Sequence, residues 1–346
     1  MHKLVFASTR RGAGKTSTIV GMVEAARPSF GYMKPFGDRL LYRKKRLWDY
    51  DAAVVTDLFG LKENPEDISI SHQHSKVRYM YDEDMTKGKL LEMVARVGAG
   101  KDLVVIEAGR DLPYGVSVHL DALSIARWTG GELVMVVSGD ENTVIDDLAF
   151  LRRSVDLSGI KLKGVVITKV LDLEDFKATY LDKVTSMEVP VLGVVPNAPE
   201  LTHINVGYLV EWLFAKVIAG SAGLGGVVEN TFVGAMAGDA AVRNPLWKKS
   251  AKLIITSGDR TDMILAALDA DTKGIVLTNN ILPPSQIISK ADDRGIPLLL
   301  VAQDTFMTAQ KIDNIEPLLT KDDRARLGLL SSLAEKHIDL RALVGD

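Results

Sequence analysis

Short apolar, β-branched runs alternate with stretches of helical periodicity along most of the chain. The runs predict strands at 4–7, 30–33, 103–106, 133–137, 165–168 and 191–195. The periodic stretches predict helices at 15–26, 51–59, 89–97, 144–155, 173–187 and 206–217. Strands that are apolar throughout, rather than every second residue, are buried on both faces. With a helix after each, they predict an α/β fold: a doubly wound, mostly parallel sheet covered on both sides.

The small, flexible run Gly220-Ser221-Ala222-Gly223-Leu224-Gly225-Gly226 is the predicted domain boundary. It divides the chain into 1–219 and 220–346. Beyond an extended entry at 227–236 the alternation restarts, with strands at 253–256, 274–278 and 297–301 and helices at 262–268, 285–291 and 305–312. This reads as a smaller three-unit α/β domain, followed by a helical tail at 320–342.

Between the first strand and first helix lies Ser8-Thr9-Arg10-Arg11-Gly12-Ala13-Gly14-Lys15-Thr16-Ser17. Gly12 and Gly14, with the small Ala13, let backbone N–H groups close around phosphate oxygens where a larger side chain would block them. The helix beginning at Lys15, Thr16 and Ser17 adds its positive dipole end. Lys15 is placed for the β- and γ-phosphates and the Thr16 hydroxyl for a magnesium ion. The expected ligand is ATP with Mg²⁺. The usual pattern starts with a glycine five places before Gly14, where this chain has Thr9; the strand–loop–helix context supports the reading.

Such a loop needs carboxylates near its metal. Glu107 follows the strand at 103–106, at the end where ligands bind in doubly wound sheets. Asp51 opens a predicted helix, where it serves either as metal ligand or as cap. Lys34 ends the second strand, facing either a phosphate or acceptor carboxylate, or solvent. In the second domain, Gly258-Asp259-Arg260-Thr261 joins a strand to a helix, so Asp259 or Thr261 caps it or Arg260 binds an anion. His72 and His74 share a face if extended, and without a third ligand read as a surface loop.

Lys34-Pro35, Asp51-Ala52 and Ile106-Glu107-Ala108-Gly109 occur in the order found in the dethiobiotin synthetase family, which the chain resembles. Its loop, Gly31-Tyr32-Met33-Lys34-Pro35 and Val191-Leu192-Gly193-Val194-Val195-Pro196 are similar to the corresponding region of long phosphotransacetylases. Val233-Gly234-Ala235-Met236, Gly258-Asp259-Arg260-Thr261-Asp262 and Asp304-Thr305-Phe306-Met307-Thr308-Ala309 resemble the DRTGG domain of those enzymes. The resemblance implies catalytic roles for Lys15, Lys34 and Glu107, and metal ligation by Thr16, Asp51 and Glu107. It also implies adenine-side contacts from the loops of Lys169 and Pro196, and a second ligand near Asp259, Arg260, Asn279 and Asn280. The family's glycine pair after Thr278 is Asn279-Asn280 here, and Arg110 replaces a glycine after Gly109. The chain stops where an acyl-transfer domain would follow, so acetyltransferase activity is not expected.

The absence of cysteine excludes disulfides and thiolate chemistry. A net charge of −3 without a basic domain argues against nucleic acid. The local exception is Arg43-Lys44-Lys45-Arg46, a solvated loop or an anion or partner surface. No apolar run nears the ~18 residues of a membrane span, and the cytoplasm is the expected location. Three readings follow: an ATP-dependent ligase-like or phosphoryl-transfer enzyme acting on a small carboxylate, a nucleotide-sensing module, and, more distantly, a dimeric switch ATPase. A homodimer is expected by analogy.

Overall fold

The computed structural model describes residues 1–43, 46–315, 319 and 323–345, with side chains outside 41–46. The basic run Arg43-Lys44-Lys45-Arg46 therefore lies outside the described residues at Lys44 and Lys45, and outside the described side chains throughout. The chain forms two units, Met1–Ala198 with Leu319–Asp346, and Pro199–Leu318.

In the first unit, β1 (His2–Ser8) leads through the loop into α1 (Lys15–Ala26), then β2 (Phe30–Met33). A hairpin of β3 (Leu40–Arg43) and β4 (Arg46–Asp49) precedes α2 (Tyr50–Phe59). The strands β5 (Leu103–Glu107), β6 (Glu132–Ser138), β7 (Leu162–Val170) and β8 (Val191–Pro196) complete a six-stranded sheet. Its order is β2-β5-β1-β6-β7-β8, parallel throughout. Leu4, Val5, Phe6, Val104, Val105, Ile106, Val134, Met135 and Val136 are fully buried. Burial of this kind is worth about 1.5–3 kcal/mol for each large side chain. Because all strands run the same way, β1, β2 and β5 deliver the loop, Lys34 and Glu107 to one sheet edge.

The second unit contains β9 (Ile204–Asn205), β10 (Lys216–Ala219), β11 (Val227–Val228), β12 (Asn230–Val233), β13 (Lys252–Ser257), β14 (Thr272–Thr278) and β15 (Leu298–Leu300). Five of these form a sheet of order β10-β15-β14-β13-β12, parallel except for β10.

The boundary differs from the one expected at Gly220. The helix predicted at 206–217 ends at Leu213, and the chain enters β10, which pairs with β15. Val206, Leu209 and Leu213 pack with Val228, Leu253, Val276 and Leu299 of the second unit. Gly220 is an internal turn of that unit with φ 69°, where a Cβ would strike the Ile296 carbonyl. The tail also belongs elsewhere. Its helix Arg324–His337 lies along α1, where Gly21 lets the Leu330 carbonyl approach; a Cβ there would sit 2.7 Å from that oxygen. Gly193 then bridges to Ile338. No helix among the described residues is long and apolar enough to cross a membrane.

Candidate functional site

The loop after β1 turns through Gly12 (φ 74°) and Gly14 (φ 95°), left-handed conformations that glycine adopts without strain. No side chain caps α1 among the described residues, so the N–H groups of its first turn, at Lys15, Thr16 and Ser17, are available to an anion. Thr168, at the end of β7, donates to the Ala13 carbonyl at 2.7 Å, and Lys169 Nζ donates to Gly12 O at 2.7 Å. These bonds hold the loop from the side that the resemblance assigns to adenine. Pro196 ends β8, opposite Val170.

Thr9, where the usual pattern has glycine, has a use of its own. Its hydroxyl donates to Asp147 Oδ2 at 2.5 Å, and Arg10 grips the same carboxylate through Nε (2.9 Å) and Nη2 (2.9 Å). Asp147 lies on the helix after β6 and is 7% exposed. The entry to the loop is thus anchored to a neighbouring helix. The residue is one of many acids on an amphipathic helix, so nothing in the sequence marked it.

Lys15 is buried; its Nζ donates to Ser8 Oγ (2.8 Å) and to the Arg110 carbonyl (3.0 Å). Burial pulls its pKa below the ordinary lysine value, against the pull of Glu107. Glu107 is buried and accepts from Thr16 Oγ1 and from the Tyr32 hydroxyl, each at 2.8 Å. Burial drives its pKa up to about 7, against the opposing charge of Lys34. Tyr32, also buried and beside that carboxylate, is pushed well above the usual phenol value.

Lys34 is the centre of the arrangement. Its side chain is 2% exposed, and Nζ lies 2.5 Å from Asp38 Oδ1, 2.6 Å from Asp51 Oδ2, 3.3 Å from Asp49 Oδ1 and 3.9 Å from Glu107 Oε1. Burial alone would lower its pKa; Asp51, Asp49, Glu107 and Asp38 outweigh it and hold the ammonium well above its ordinary value. The solvent-facing alternative for Lys34 is therefore corrected.

Asp51 is not the cap of α2. That position is Asp49, which accepts from Ala52 N at 3.1 Å and, through its other oxygen, from the N–H groups of Asp38 and Arg39. Asp51, within the first turn, is left to bind Lys34 and Arg39. Burial opposes its ionisation, but Lys34 and then Arg39 overcome it and hold the pKa below the usual carboxylate value. For Asp49 burial wins, and its pKa is raised despite Lys34. Asp38, Asp49 and Asp51 offer oxygens all within 4.8 Å of one another. Three such hard carboxylate oxygens are the kind of donor that suits a divalent cation such as Mg²⁺. A cation there competes with the Lys34 ammonium. Asp38 and Asp49 escaped the sequence reading because the β3–β4 hairpin that brings them in carries no clear strand pattern.

His72 and His74 do not share an extended face, because His74 opens a helix and packs edge-on against Phe36 and Tyr114. Asp259, Arg260, Asn279 and Asn280 all lie in the second unit. Neither Asp259 nor Thr261 caps the helix Thr261–Leu268; its N-cap is Arg260, whose guanidinium donates to Met236 O at 2.7 Å and to Asp262. Asn279 and Asn280 have φ of 61° and 55°. Asparagine is, after glycine, the residue most at ease in that conformation, so the pair keeps a backbone shape that two glycines would provide.

A family model described as an AAA domain matches residues 2–205, and one described as a DRTGG domain matches residues 208–315. The chain belongs to this AAA-domain family. It joins a dethiobiotin synthetase-like P-loop domain to a DRTGG domain, a pairing related to long phosphotransacetylases. The phosphate acetyltransferase of Pseudomonas putida is 28% identical over 374 residues, which cover 98% of this chain and 51% of that protein. The phosphate acetyltransferase of Pseudomonas aeruginosa is 25% identical over 376 residues, covering 99% and 52%. The chain thus spans about half the length of these curated relatives. Among solved structures, cobyrinic acid a,c-diamide synthase from Mycobacterium smegmatis, with bound ATP analog and magnesium, aligns with a TM-score of 0.37 and 14% identity, covering 57% of this chain and 88% of that one.

Proposed function

We propose that the first unit binds Mg²⁺-ATP on the 8–17 loop and that nucleotide occupancy is its output. In this reading Lys15 exchanges Ser8 and the Arg110 carbonyl for the β- and γ-phosphates, and the N–H groups from Gly12 to Ser17 surround them. Thr16, Asp51 and Glu107 take the metal, and the loops of Lys169 and Pro196 flank the base. The observation that carries the reading is Lys34. An acceptor-positioning lysine has to present its ammonium to a substrate, whereas this one is buried among four carboxylates. That arrangement favours sensing over chemistry on a small carboxylate.

The ligase-like or phosphoryl-transfer reading keeps one supporting observation. A carboxyl group with a pKa of about 7 is suited to move a proton at neutral pH, and Glu107 is such a group. Isothermal titration separates the possibilities. Wild type should bind Mg²⁺-ATP, and Lys15→Ala should weaken binding at least tenfold. Absence of binding to the wild type defeats both readings. Hydrolysis or acceptor-dependent turnover above the Lys15→Ala background defeats the sensing reading and supports the enzyme.

The second unit fits a ligand-binding partner in that scheme. Arg260 stands with Asn279 and Asn280 at the carboxyl ends of parallel strands, where ligands bind in such sheets. If that edge is coupled to the loop, linkage requires Arg260→Ala to alter ATP affinity; equal affinities argue against coupling.

A further inference from the structure

The first unit contains a cavity of about 310 Å³ that shares no lining residue with the phosphate loop. It is lined by Lys177, Val194, Lys336, His337, Ile338 and Asp339. Three separate parts of the chain build it: the segment of Lys177, Val194 of β8, and residues 336–339. Lys177 sits in a single π-helical turn, Phe176–Tyr180, held down by the buried Phe176. Such turns cost regular hydrogen bonding and recur at functional sites.

From the other side come Lys336 and His337, in the last turn of the helix Arg324–His337. The chain beyond is pinned to β8, where Asp339 N–H donates to Leu192 O at 2.7 Å. Gly193 makes this closeness possible, since a Cβ there would lie 2.4 Å from the His337 carbonyl.

The charges around the cavity do not balance. Asp339 uses Oδ1 to cap the next helical turn, accepting from Ala342 N at 2.9 Å. Among the described residues neither Lys177 nor Lys336 makes an ion pair. Burial, and then the nearness of Lys177 and Lys336, keeps the His337 imidazole below its ordinary pKa. Two lysines and a histidine thus line one depression that carries a single carboxylate, Asp339.

We propose that this cavity binds the phosphate group of a small anion, either free phosphate or a phosphate monoester. Two lysines supply charge-assisted contacts to the phosphate oxygens, and the imidazole adds an N–H. A volume of about 300 Å³ is the lower end for small-molecule sites, so it has room for a short organic group beside the phosphate.

The test follows the His337 imidazole by NMR in the full chain, with the resonance assigned through His337→Gln. Inorganic phosphate and glycerol 3-phosphate are titrated separately at constant ionic strength in chloride. A saturable shift of the His337 signal with either probe, accompanied by a rise in its pKa, is the expected result, and the tighter probe identifies the ligand as free or esterified. The shift should need at least tenfold more probe in the Lys177→Ala/Lys336→Ala variant and should persist in Lys15→Ala. No saturable shift with either probe, an unchanged shift in the double variant, or its loss in Lys15→Ala overturns the proposal. The readout is local to His337, so the result stands whether or not the loop binds ATP.

Discussion

Replacing Lys34 with methionine tests the logic of the site most directly. The substitution keeps the length and apolar body of the side chain but removes the one ammonium set among Asp38, Asp49, Asp51 and Glu107. Removing one partner of a buried ion pair costs about 3–5 kcal/mol, because the remaining charge stays desolvated and unpaired. For a folding unit of about 200 residues, each kcal/mol corresponds to roughly 2–4 °C in Tm. The P-loop unit of Lys34→Met should therefore melt about 6–20 °C below wild type at pH 7.5. The pH dependence should also steepen, because the raised pKa values of Glu107 and Asp49 already favour folding of the wild type as pH falls. Asp51, held below its unfolded pKa, acts in the opposite sense, but its contribution is lost only at more acidic pH and stays constant over pH 5–8. Without the ammonium, burial raises the folded pKa of these carboxyls. The variant should then gain stability as pH falls toward their unfolded values. Millimolar Mg²⁺ should raise the Tm of the variant more than that of wild type, because a metal can now occupy the charge-deficient position. Differential scanning calorimetry over pH 5–8, with and without Mg²⁺, measures all three effects. A variant melting within 2 °C of wild type at pH 7.5, with no extra response to Mg²⁺, would refute the claim that Lys34 compensates the cluster.

Other outcomes follow from the same geometry. Glu107, with a pKa of about 7, should shed its proton on taking Mg²⁺-ATP: roughly half a proton at pH 7, nearly one at pH 6 and little at pH 8. Calorimetric titrations in buffers of different ionisation enthalpy read that number, and buffer-independent heats at pH 6 contradict it. Glu107→Gln should remove the proton release and weaken the response to Mg²⁺. Asp147→Asn should loosen the anchoring of Thr9 and Arg10, lowering ATP affinity several-fold while changing stability little, since Arg10 is largely exposed; titration and denaturant unfolding separate the two effects. Gly21→Ala should push the C-terminal helix off α1 and cost about 1–3 kcal/mol by overpacking, seen as a lowered Tm and faster amide exchange in residues 324–337.

Much of this protein was legible from local pattern. The apolar runs that became β1, β2 and β5 to β8 could bury both faces only in a parallel sheet. The glycine-spaced loop before Lys15 could be picked out as a phosphate-binding candidate because such a cradle is made of consecutive backbone groups. Glu107 and Lys34 stood out as candidates because strand ends in such a sheet share one edge. What the sequence left open was decided by contacts between distant segments. Asp51 could have capped α2, and the β3–β4 hairpin decided against it by placing Asp49 at the cap, with its other oxygen on the N–H groups of Asp38 and Arg39, leaving Asp51 for Lys34. Asp147 became an anchor for the loop only because the helix after β6 packs beside it. The glycine-rich run at 220–226 looked like a linker, yet glycine serves close packing as well as flexibility, and here Gly220 and Gly223 approach Ile296, Pro297 and the Gly295 carbonyl. By itself the sequence determined the strands, the loop and its charge-bearing residues, since these depend on neighbours along the chain. Only the tertiary structure decided where the units divide, where the last helix docks and which carboxylates surround Lys34, because burial and charge balance are properties of what surrounds a residue in space.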